Sequence, residues 1–137
     1  MSPTMVALVA GLFAWLGAHS EYRIPTNPHD FPQIQHESAD ALKARFGHPA
    51  LALFDWETNT VYLDADFDHT SNADRAKLLH ELSHALQKLN GRVYSYLAQG
   101  EEEAYGLQRM WEKERGLPQN DPLSAALFSM GPVDDED

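Results

Sequence analysis

His80, Glu81 and His84 stand in the stretch LLHELSHALQKLNG, residues 78–91. Two imidazoles four residues apart can share one metal ion, and a carboxylate beside the first can act as base on water that the ion polarises. On a helix turning about 100° per residue, His80 and His84 lie about 40° apart on adjacent turns, so both reach one point. Glu81 is about 100° round from His80, beside the pair rather than in line with it. That placement suits contact with a water at the ion instead of the ion itself. Gln87 shares the histidine face. Leu78, Leu79, Leu82, Ala85, Leu86 and Leu89 form an apolar stripe on the other side. The pattern predicts a helix that meets the core by its leucines and turns its histidines toward whatever covers its second face.

The surrounding elements must position that helix. Its start is marked by Ser71 with Asp74 three residues later, an aspartate version of the capping box, and its end by Asn90-Gly91. Before it, LALFDW (51–56) and TVYLDADF (60–67) flank the polar ETN and predict an antiparallel hairpin. Glu37 to Phe46 reads as a short helix, with Ser38 a cap and Gly47 past its end. Pro25, Pro28 and Pro32 make EYRIPTNPHDFPQI an extended connector leading into a short strand near Pro32 to His36. After the histidines, a helix from about Glu101 to Arg115 turns Leu107, Met110 and Trp111 inward and ends at Gly116 and Pro118. DPLSAALFSM adds a last short helix. The order is helix, strand, helix, hairpin, helix, helix: an α+β fold of one small antiparallel or mixed sheet with helices packed on it.

Composition bounds the rest. The chain has 137 residues, enough for a single domain spanning 1–137 with one core. With 10 basic against 21 acidic residues the net charge is −11, which argues against a nucleic-acid partner. Part of that charge lies in an acidic tail, residues 130–137, expected to be a solvated end. There is no cysteine, so any metal must be held by His, Asp or Glu. The apolar run MVALVAGLFAWLGA, residues 5–18, is short for a membrane span and lacks a preceding basic residue. Val6, Val9, Phe13 and Leu16 recur at helical spacing, so it reads as a structural helix, and no membrane partner is expected. A signal segment over residues 1–20 is the alternative. The compartment follows that choice: cytoplasm for the first, periplasm or secretion for the second.

A hydrolytic zinc site usually takes three protein ligands and keeps a position open for water. No third histidine follows His84 at the spacing of HExxHxxGxxH, which leaves Glu101, Glu102 and Glu103. Glu102 points farthest from the Leu107–Trp111 face. Glu101 shares a side with Tyr105 and Gln108, and Glu103 flanks the apolar stripe. Periodicity does not choose between these two.

LLHELSHALQ followed by EEEAYGLQ resembles the zincin metallopeptidases of the glutamate-ligand type (gluzincins), and most of all small members with HELxHxLQ and a downstream ExxAY helix. The resemblance covers roughly Leu51 to Trp111. It implies a zincin-like fold, one zinc ion per chain, and an ExxAD-type pattern that makes Glu101 the third ligand, with Glu103 the alternative. Tyr105 stands where the pattern has an aspartate, so a carboxylate that often orients a ligand histidine is missing. Asp64, Asp66 or Gln108 is then the candidate replacement. The resemblance also implies that Thr60 to Phe67 forms the edge of a substrate cleft, open to an extended peptide. Asp64, Asp66 and Asp68 would make such a cleft acidic, although aspartates ending a strand ordinarily face water. The implied function is zinc-dependent hydrolysis of peptide bonds, with Glu81 as general base toward water and proton donor to the leaving nitrogen. Tyr105, Tyr94 or Tyr96 could donate to the developing oxyanion, and each has an alternative role in packing. His69 and His48 read as surface residues.

Two other functions compete. A zincin-like metal-binding protein of weak or lost activity, acting through a partner, suits so short a chain. A helix with two solvated histidines and no metal requires that the glutamates not converge on them. Intact Glu81 favours the peptidase, since a structural site needs no base there. Two imidazoles and a carboxylate also accept divalent ions other than zinc.

Overall fold

The computed structural model describes residues 1–47, 51–92 and 97–118. The first element, α1 (Pro3–Ala18), starts where the Ser2 side chain accepts from the Met5 N–H and Pro3 supplies a fixed φ. It buries Met5, Val9, Leu12, Phe13 and Leu16. Among the described residues no helix is long and apolar enough to cross a membrane. The proline-rich connector holds one 3₁₀ turn, Pro28–Asp30, and leads into β1 (Gln33–Glu37). Helix α2 (Ala39–Phe46) is capped by Ser38 and closed by Gly47 at φ 86°, a left-handed position that suits glycine.

Strands β2 (Ala52–Asp55) and β3 (Thr60–Asp64) form the antiparallel hairpin. Its turn is tied by the Asp55 side chain, which accepts from the Glu57 N–H and the Thr58 hydroxyl. β1 pairs parallel with β3, so the sheet is mixed, in the order β1-β3-β2. This corrects the expectation that Thr60 to Phe67 borders a cleft. β3 is the central strand and its backbone is paired on both sides. The edge next to the long helices is β2.

Helix α3 (Asn72–Leu89) lies between two layers, and the sheet and α1 cover its leucines while α4 (Leu97–Glu114) covers its histidines. Its middle is therefore buried nearly all the way round, from Leu78 to Ser83 and again from Ala85 to Gln87. Leu78, Leu79, Leu82 and Leu86 are fully buried and join Phe13, Leu16, Val61, Leu63 and Trp111 in one core. Ser71 caps α3 by accepting from the Asp74 N–H. The return half of a capping box is not made, because the Asp74 carboxylate reaches back to the Asp68 N–H instead.

Two apolar residues expected to point inward do not. Leu89 is 41% exposed and Met110 45%. An 18-residue helix is about 27 Å long, whereas strands of four and five residues cover only about 13–17 Å. Leu89 is the last residue of the helix, where the shorter sheet gives less cover. On α4 the buried face runs from Leu107 and Trp111 through Ala104 to Gln108, Glu101 and Tyr105. Its centre is thus rotated toward the polar residues, and Met110, about 140° from that centre, turns to solvent. Helix α4 also begins four residues before the expected Glu101. The last short helix proposed for DPLSAALFSM lies outside the described residues.

Candidate metal centre

The histidine face of α3 meets the first turns of α4. Glu101 Oε1 lies 2.8 Å from His80 Nε2 and 2.9 Å from His84 Nε2, and the two Nε2 atoms are 3.2 Å apart. Three donor atoms at such spacing can share one cation, or, without it, the ring N–H hydrogens. Ligands at about 2.0–2.1 Å from a tetrahedral zinc ion would be about 3.3 Å apart, so the donor set fits an ion after opening by a few tenths of an ångström. His80 and Glu101 are buried at 3% and 4% exposure, and His84 is partly buried. The group His80, His84, Glu101 could hold a metal ion.

Electrostatics support the same reading. Burial works to raise the Glu101 carboxyl, but hydrogen bonds with His80 and His84 and their charge outweigh it and bring it from the usual 4.5 down to about 2. Burial holds the His80 imidazole below its usual 6.5, against the pull of Glu101. An ionised carboxylate facing an imidazole that resists charging leaves negative potential where the three atoms converge.

Each histidine is held from behind by an amide. His80 Nδ1 is 3.0 Å from Gln108 Oε1, and His84 Nδ1 is 2.9 Å from Gln87 Oε1. The Gln87 amide nitrogen donates to Gly100 O and to Glu103 Oε1, and Glu103 also accepts from the Tyr22 hydroxyl. The Gln108 amide nitrogen donates to Glu112 Oε2. Glu103, the alternative third ligand, is thus engaged one layer out, and Glu102 is exposed. Of the three candidates for a replacement histidine partner, Gln108 takes the place. Asp64 accepts from the Asp66 N–H near the end of β3 instead, and Asp66 is exposed.

Glu81 is 4% exposed and stays outside the ligand group. Its Oε1 accepts from the Phe54 N–H at 2.8 Å. Leu51 O accepts from the Asp64 N–H, so alternate residues of β2 turn their backbone toward β3, and Ala52 and Phe54 face the free edge. The carboxylate therefore docks on that edge. The Tyr105 ring packs on His80 with centroids 4.3 Å apart. Tyr94, Tyr96 and His48 lie outside the described residues. His69 is exposed and its carbonyl accepts from Arg75 Nε.

Sequence reasoning placed Gln87 on the histidine face without giving it a role, and it missed Tyr22 and Glu112. The signal for Gln87 was its spacing, three residues past His84. Tyr22 is 81 residues from Glu103, and no local pattern joins them.

Among the described residues, four α-helices around a mixed three-stranded sheet, with a largely buried His–His–Glu group between two of the helices, define an α+β domain with a site that could hold a metal ion. Residues 1–127 match the family described as Domain of unknown function (DUF6647), and the chain belongs to that family. No curated protein and no solved structure matches it.

Proposed function

We propose that this protein is a zinc-dependent peptidase with a zincin-like site. The observation that supports it most is the convergence of His80 Nε2, His84 Nε2 and Glu101 Oε1, with Glu81 adjacent in sequence and outside the ligand group. Those three residues would hold the ion, and the ion supplies Lewis acidity that acidifies water and polarises an amide carbonyl. Glu81 takes the proton from the attacking water and returns it to the leaving nitrogen. Its hydrogen bond to the Phe54 N–H fixes the carboxylate at the β2 edge. Burial of His80, Glu81 and Glu101 keeps bulk water from most of the group, which strengthens each of these interactions.

One observation favours a second reading, a metal-binding protein without peptidase activity: Glu81 is nearly fully buried and already engaged by the backbone. Metal analysis of the purified chain beside His84→Ala, followed by a peptide-library digest with Glu81→Gln as control, separates the readings. About one zinc per chain, lost in His84→Ala, with cleavage abolished in Glu81→Gln, supports the peptidase. Zinc retained with no cleavage by the parent chain supports the second. No zinc uptake sinks both.

A further inference from the structure

The two glutamines behind the histidines carry an asymmetry of hydrogen-bonding partners. An amide side chain can be turned over, exchanging its oxygen and nitrogen, and only its surroundings fix which way it faces. For Gln87 the far end meets Gly100 O and Glu103 Oε1, both acceptors. Turning the amide over would set its oxygen against two acceptors, a repulsive contact in a buried place. The Gln87 oxygen must therefore face His84, and the ring nitrogen opposite it, Nδ1, must donate. For Gln108 the far end meets the Glu112 carboxylate. By the same logic its oxygen faces His80, whose Nδ1 must donate. In the metal-loaded form Nδ1 keeps the hydrogen on both rings and both Nε2 lone pairs are free for the ion, which displaces the Nε2 hydrogens that the metal-free rings share with Glu101.

We infer that Glu103 and Glu112 are positioning residues for the metal centre, each acting through a glutamine to fix one histidine with its Nε2 atom presented for coordination. The inference rests on the metal-site reading and deepens it. The chain contains two His–Gln–Glu relays: His84–Gln87–Glu103, steadied by the Tyr22 hydroxyl, and His80–Gln108–Glu112. The relays are unequal. Gln87 is 1% exposed and its nitrogen has two acceptors, whereas the Gln108 nitrogen has Glu112 alone among the described residues. Removing Glu103 leaves Gly100 O to hold Gln87 in place. Removing Glu112 leaves the Gln108 nitrogen no acceptor among the described residues.

The test is zinc affinity by chelator competition on the full chain, with nitrogen-15 NMR of the zinc-loaded protein to observe the imidazole N–H protons. The parent chain should show slowly exchanging Nδ1–H protons on both His80 and His84. Glu112→Leu should weaken zinc binding about 10- to 100-fold, the range for loss of an outer partner, and should speed exchange of the His80 proton while sparing that of His84. Glu103→Leu should have the smaller effect. Glu112→Gln, which can still accept from Gln108, should restore most of the affinity. Coordination through Nδ1, or unchanged affinity and exchange in Glu112→Leu, overturns the relays while leaving the metal site standing. If the parent chain takes up no zinc, the metal site itself fails and the relays fail with it.

Discussion

At the scale of single residues, the centre is a competition between burial and pairing. Glu101 is ionised because His80 and His84 hydrogen-bond to it strongly enough to overcome burial, which alone would raise its pKa. Its folded pKa lies below its unfolded value, so the stability it contributes is present above about 4.5 and is lost as pH falls toward about 2. His80 is also depressed, here chiefly by burial. The unfolded chain then binds its proton first, and stability falls as pH drops below the usual 6.5. Both groups act in the same direction. Urea midpoints of metal-free protein should decline from neutral pH downward, and Glu101→Gln should flatten the part of the decline between about 4.5 and about 2. Protons and metal compete for the same atoms, so zinc affinity should fall over the acid range as well.

At the scale of elements, burial sorts leucines that look alike in sequence. Leu86 and Leu89 both sit on the apolar stripe of α3, but Leu86 is fully buried and Leu89, on the last turn, is exposed. Leu86→Ala should cost about 2–5 kcal/mol and Leu89→Ala less than about 0.5 kcal/mol, measured by urea denaturation. The cap of α3 makes a smaller contribution. Ser71→Ala removes the acceptor for the Asp74 N–H and should cost about 1 kcal/mol. On α4, Trp111→Ala should cost about 3–5 kcal/mol, while Met110, on the solvent side, should tolerate replacement by alanine.

At the scale of the whole molecule, the centre is a clasp between α3 and α4. On the proposed reading zinc would bind only the folded arrangement of these helices, so it should stabilise the fold by about 2.7 kcal/mol at a free concentration one hundred times its dissociation constant. Calorimetry should show a melting temperature that rises with zinc, falls with chelator, and responds to neither in His84→Ala. The sequence by itself determined much of this protein. Helical spacing put His80 and His84 on one face and the leucines on the other, and alternation with a polar turn marked the hairpin. Ser38, Ser71, Gly47 and Asn90-Gly91 set helix ends, because caps and turns are local chemistry. What lies far apart in the chain belonged to the tertiary structure. Strand β3 became central because β1 pairs with it across α2 and β2, which no period reveals. Met110 turned outward because α4 rotates its polar Glu101–Gln108 side into the site. Glu103 and Glu112 met the histidines through glutamines on two different helices, and such a relay exists only once the helices have packed.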